Sequence, residues 1–128
     1  MPKLYDALVV DDEKDICEIC TDYLENMGCF RHIITAADGV LATTKLNNQK
    51  FDIILLDINL PKKSGTKILK QFGEGNKNII ESVIVISGEL NKSVIAEAMK
   101  AGVKHFLVKP FDEAAVQSKV LQVLKSLK

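Results

Sequence analysis

Ala7-Leu8-Val9-Val10-Asp11-Asp12-Glu13 is a short apolar run that stops abruptly on three acids. An apolar stretch without polar alternation suits a strand covered on both faces, as in a parallel sheet. The same figure returns downstream. Ile53-Ile54-Leu55-Leu56, the buried part of a predicted strand from Phe51 to Leu56, runs into Asp57. Ser82 to Ile86 runs into Ser87-Gly88, and His105 to Val108 runs into Lys109-Pro110. A fifth run, His32-Ile33-Ile34-Thr35-Ala36, carries more polar residues and belongs nearer an edge.

Helical patterns fill the intervals. Lys14 to Met27 places Ile16, Cys20, Tyr23, Leu24 and Met27 on one stripe, with Gly28 as terminator. Asp38 is positioned to cap a helix that carries Leu41, Ala42 and Leu46 toward the core. Pro61 opens a turn, and Ser64-Gly65 prepare a helix with Ile68, Leu69 and Phe72 on its apolar side. Asn91 to Ala101 forms a fourth helix ending at Gly102. Asp112 caps a last one bearing Val116, Val120, Val123, Leu124 and Leu127. Five strands alternating with five helices call for right-handed crossovers, hence a parallel sheet with helices on both faces.

Composition narrows the function classes. The chain has 128 residues, which fits one domain over 1–128, and 17 basic residues balance 17 acidic ones. That balance gives no sign of nucleic acid or an anionic membrane as a direct partner. The adjacent basic pair Lys62-Lys63 reads as a solvated loop. Cys17 and Cys20 have the spacing of a metal or redox pair, but no second pair completes it, so buried helix cysteines are expected, with Cys29 unpaired. No apolar run approaches the roughly 18 residues that span a bilayer. With no signal peptide before the first strand, a cytoplasmic protein without membrane insertion is the expectation.

Ligands of open parallel sheets bind beyond the carboxyl ends of the strands. That rim receives Asp11 and Asp12 from the first strand, Asp57 from the third, Ser87 from the fourth and Lys109 from the fifth. Three carboxylates brought together repel one another without a cation. Mg2+ fits best, since it favours oxygen ligands and retains exchangeable waters, and Mn2+ is an expected substitute. Asp12 and Asp57 are the expected direct ligands, with Asp11 on the ion or its water and the Asn59 backbone carbonyl as a further ligand. Asp57, at the end of a buried strand, is the expected nucleophile toward phosphorus. Lys109 would neutralise charge on the transferred group, and Ser87 with the Gly88 and Asn59 amides would bind its oxygens. A cis peptide between Lys109 and Pro110 would turn the lysine back toward the site.

These motifs resemble the receiver domain of two-component response regulators, the CheY-like family. The resemblance runs from about Leu4 to Leu127. It is carried by Leu8-Val9-Val10-Asp11-Asp12-Glu13, Leu56-Asp57-Ile58-Asn59-Leu60-Pro61 with Gly65, Val85-Ile86-Ser87-Gly88 and Phe106-Leu107-Val108-Lys109-Pro110-Phe111. It implies a flavodoxin-like (βα)5 three-layer sandwich with strand order 2-1-3-4-5. It also implies phosphoryl transfer to Asp57 from a histidine kinase or histidine phosphotransfer protein, followed by slow hydrolysis. Ser87 and Phe106 would form the switch, remodelling the face of the fourth helix, fifth strand and fifth helix that a downstream protein reads. Asn59 and Glu89 occupy positions that tune phosphate lifetime. Phe106 lacks a tyrosine hydroxyl, so it can switch by packing alone, and Lys63 stands where the family usually has an apolar residue. His32 and His105, in strand-like segments, are poor phosphodonors.

Two other readings share parts of the pattern. One is a receiver-like adaptor that no longer depends on phosphorylation. The other is a small Mg2+-dependent phosphatase with Asp57 as nucleophile, although neither a substrate cap nor a second acid-base carboxylate is evident. A dinucleotide fold is disfavoured, because acids occupy the first strand-helix junction where a glycine-rich loop would be needed. With no output segment after the last helix, the expectation is a stand-alone receiver or the receiver portion of a larger regulator, the first being favoured. It would be a monomer or a weak phosphorylation-dependent dimer, with Leu121 either partly buried or on a contact surface.

Overall fold

The computed structural model describes residues 4–60, 64–72, 77–88 and 92–127. Pro61, Lys62, Lys63, Glu89 and Asn91 therefore lie outside the described residues. Five strands, β1 (Tyr5–Val10), β2 (Phe30–Ala36), β3 (Ile53–Asp57), β4 (Val83–Ser87) and β5 (His105–Val108), form a parallel sheet ordered β2-β1-β3-β4-β5. This is the flavodoxin-like order that the motifs imply.

Strand periodicity sorts the core into two layers. Ala7, Val9, Ile53, Leu55, Ile84 and Ile86 point to one face, where they meet α1 (Lys14–Glu25) through Cys20 and Leu24 and α5 (Glu113–Ser126) through Val116, Val120 and Val123. Leu8, Val10, Ile54, Leu56, Val83 and Val85 point to the other. There they are covered by α2 (Gly39–Asn48), α3 (Gly65–Leu69) and α4 (Lys92–Ala101) through Ala42, Leu46, Ile68, Leu69 and Ala98. β3 is buried along its whole length, and each of its four aliphatic side chains contributes about 2 kcal/mol through burial.

Asp38 accepts from the Leu41 amide at 2.8 Å and Asp112 from the Ala115 amide at 2.8 Å, so both act as helix caps. α1 gives way to a turn at Asn26, and Gly28 follows in the left-handed region at φ +71°. Leu41 is a correction. It does not turn to the core but is 47% exposed, because Gly39, Ala42 and Leu46 already form the inward row of α2. Cys17, which the predicted stripe of α1 omits, is buried. β2 begins two residues before His32, at Phe30, which pairs with Tyr5.

Asn78 secures the approach to β3. Its side chain accepts from the Phe51 amide at 2.7 Å and donates to the Leu46 and Gln49 carbonyls, both at 2.9 Å. The Leu46 carbonyl is in the last turn of α2, and the Gln49 and Phe51 groups lie between α2 and β3, so neither helix nor sheet satisfies them and a buried amide side chain takes that place. Among the described residues no helix is long and apolar enough to cross a membrane.

Candidate functional site

β1 and β3 lie side by side, so their carboxyl ends deliver aspartates to one place. Asp11 follows β1 directly and is held by its own amide, which donates to the Ala36 carbonyl of β2 at 3.1 Å. Its Oδ1 accepts from the Glu13 amide at 2.9 Å, and its carbonyl accepts from Cys17 Sγ at 3.3 Å. Asp57 ends β3 and is 4% exposed. Asp57 Oδ1 accepts from the Asn59 amide at 2.9 Å. Asp12 is exposed, yet one carboxylate oxygen from each of Asp11, Asp12 and Asp57 lies within 4.8 Å of the others.

Lys109 enters from the far end of β5. The Lys109 amide donates to the Ser87 carbonyl at 2.9 Å, and the Lys109-Pro110 bond is cis. Its ammonium donates to Glu13 Oε2 at 2.8 Å and to Asp57 Oδ2 at 3.1 Å. It also lies 2.9 Å from Asp11 Oδ2, an ion-pair distance without hydrogen-bond alignment. Burial works against the ammonium's charge, but Glu13, Asp11 and Asp57 outweigh it and hold the lysine pKa above its ordinary value. Asp11 shows the opposite balance. Burial raises its pKa despite the Glu13 amide and Lys109.

Ser87 is fully buried at the end of β4, beside Val108 in the ladder, and Gly88 is exposed just after it. Phe106 is half-buried against the layer that holds Val85 and Ala98. Gly65 closes the turn that carries Asp57. Its amide donates to the Ile58 carbonyl at 2.9 Å, and a Cβ there would stand 2.6 Å from Ile58 Cα and 2.9 Å from the Asp57 carbonyl oxygen. Both obstacles are backbone, so only glycine fits.

The residues present fit a hard cation. Asp11 Oδ2 is buried and, among the described residues, has the Lys109 ion pair but no aligned hydrogen-bond donor, and two further carboxylates face it. The three cysteines form no comparable centre. All are free, and burial pushes the thiols of Cys17 and Cys20 up to about 11 and about 12. His105 is half-buried with its pKa lowered by burial, and exposed His32 serves Asp6 through Nδ1 at 3.1 Å. Glu13's hold on Lys109 has no sequence signature, since the two are 96 positions apart.

Residues 7–121 match the family model of the response regulator receiver domain. The chain is also 31% identical over 120 residues to chemotaxis protein CheY-3 of Vibrio cholerae, covering 94% of this chain and 92% of that one. The chain belongs to the response regulator receiver family. Solved receiver structures agree in shape. One from a Francisella response regulator has a TM-score of 0.83 at 28% identity, covering 97% of this chain and 99% of that one. A CheY-like receiver domain from Methanospirillum hungatei has a TM-score of 0.84 at 25% identity, covering 97% and 96%. The clustered aspartates and Lys109 are thus the strand-end groups of a CheY-like receiver domain of two-component signalling.

Proposed function

We propose that residues 1–128 are a single phosphoacceptor receiver in which Asp57 takes a phosphoryl group from the phosphohistidine of a histidine kinase or histidine phosphotransfer protein. One observation carries the reading. Asp57 is buried, oriented by the Asn59 amide and touched by the Lys109 ammonium. A carboxylate oxygen of Asp57 attacks phosphorus as the P–N bond to the donor imidazole breaks, leaving the electron pair on nitrogen and an acyl phosphate on Asp57.

The donor that Lys109 now gives to Asp57 Oδ2 would pass to a phosphoryl oxygen. The Ser87 hydroxyl and the Gly88 amide, at the end of β4, are the next donors along the rim. Asp11, Asp12, Asp57 and the Asn59 carbonyl would hold Mg2+ or Mn2+, which would neutralise these carboxylates and the incoming phosphoryl oxygens. Water attacking phosphorus later restores the Asp57 carboxylate and releases phosphate, and side chains beside the bond, Asn59 among the described residues, would set that lifetime.

Switching would couple Ser87 to Phe106 through packing. It would alter the α4, β5 and α5 face for a downstream protein, on a chain that is monomeric or weakly dimeric when phosphorylated. The test is mass measurement after incubation with Mg2+ and acetyl phosphate, comparing the parent with Asp57→Asn. One labile phosphoryl addition to the parent and none at this position in the variant is expected. An unchanged mass in folded, Mg2+-bound parent protein would overturn self-catalysed phosphorylation.

A further inference from the structure

The Lys109 ammonium stands between two environments. Behind it are the buried carboxylates of Asp11 and Asp57, and ahead of it is Glu13, whose side chain is 59% exposed. The Glu13 contact, 2.8 Å, is the shortest of the three. A divalent cation entering among Asp11, Asp12 and Asp57 competes with the ammonium for the same oxygens, and the two positive charges repel. The ammonium can yield those oxygens only if another counter-charge keeps it.

Glu13 is built to supply that charge. Its backbone is fixed at three points: the amide donates to Asp11 Oδ1 at 2.9 Å, and the carbonyl accepts from the Ile16 and Cys17 amides at 3.1 Å and 3.2 Å. Only the side chain is free to follow the lysine. Glu13 also immediately precedes α1, where a helix amino terminus favours a carboxylate.

We propose that Glu13 is a positioning residue, a parking carboxylate that retains the Lys109 ammonium while a divalent cation occupies Asp11, Asp12 and Asp57. The role rests on the cation site of the proposed function. It predicts that loss of the Glu13 charge weakens cation binding through Lys109. Loss of one negative charge near the site would act without the lysine.

The two are separated by calorimetric titration of Mg2+ into the parent, Glu13→Gln, Lys109→Met and the double variant, at about 0.15 M salt to screen distant charges. Glu13→Gln is expected to weaken binding about two- to fivefold, the range for a partly exposed ion pair. In the Lys109→Met background the same substitution is expected to leave affinity unchanged. Glu13→Asp supplies a second check, because it keeps the charge but shortens the reach by one methylene. It should resemble Glu13→Gln if the ion pair matters, and the parent if only net charge does. Equal losses with and without Lys109, no loss in Glu13→Gln, or parent-like binding in Glu13→Asp would each overturn the role of Glu13 alone. A parent that binds no Mg2+ would overturn the cation site as well.

Discussion

Asp6 lies at the amino end of β1 and Asp11 just past its carboxyl end, and both are buried. Around Asp6 the chain has supplied cations. Arg31 Nη2 donates to Oδ2 at 2.7 Å, Arg31 Nε to Oδ1 at 3.3 Å, and His32 Nδ1 lies 3.1 Å from Oδ1. A register slip between Tyr5 and Asp6 makes this possible, because the extra residue on β2 lets Arg31 and His32 reach the same carboxylate. The Arg31 hydrogen bond is the main reason that the Asp6 pKa lies below the ordinary carboxylate value. At the other end, Asp11, Glu13 and Asp57 share Lys109, Asp12 adds a further carboxylate beside them, and burial raises the pKa of Asp11. The amino end is electrostatically closed and supports the fold. The carboxyl end holds an excess of negative charge that a ligand can neutralise.

The largest expected effect comes from the backbone that presents Asp57. Gly65→Ala drives a Cβ into Ile58 and Asp57 main chain, and we expect it to destabilise the protein by about 3 kcal/mol in urea unfolding. A parent-like midpoint would mean that this turn gives way freely and that the carboxyl end is less constrained than its packing indicates.

Asp12→Asn tests the charge excess directly. In metal-free buffer, removing one of three like charges should raise unfolding free energy by about 1 kcal/mol. Saturating Mg2+ should reverse the order, because the parent gains more from binding. A lower midpoint without metal would sink the view that the carboxyl end is electrostatically strained.

Asp6→Asn should have the opposite sign and a smaller size, a fall in melting temperature of a few degrees at neutral pH. A depressed folded pKa gives stability that is complete above the unfolded value of about 3.9 and lost as pH falls through the folded one. Parent and variant should therefore converge in acid. A gap that persists there would assign the effect to packing instead of to the ion pair.

The strands and their polar endings were legible because a sheet buried on both faces leaves little choice of residue. Asp11, Asp57, Ser87 and Lys109 each follow or finish an apolar run, so their common rim follows from the βα alternation. Leu41 was misplaced because its neighbour Ala42 is inward, and a shift of one residue turns a helix side chain by about 100°. Arg31 conceals the start of β2 at Phe30, since a charged residue on an edge strand looks like a loop until its partner is known. Glu13 could be recognised as an acid after an acid pair, but its reach to Lys109 depends on how β1 and β5 end, which no local pattern encodes.

Asn78 gives β3 a dependence on a distant part of the chain. The Phe51 amide just before β3 is closed by a side chain 27 positions later, on the segment leading to β4. Opening the entrance to β3 therefore means breaking Asn78's bonds to Phe51, Leu46 and Gln49 together. Amide exchange at Phe51 would then report cooperative opening of both segments and not local fraying. The strand beneath Asp57 is thereby locked at its root, at the end opposite the carboxylates.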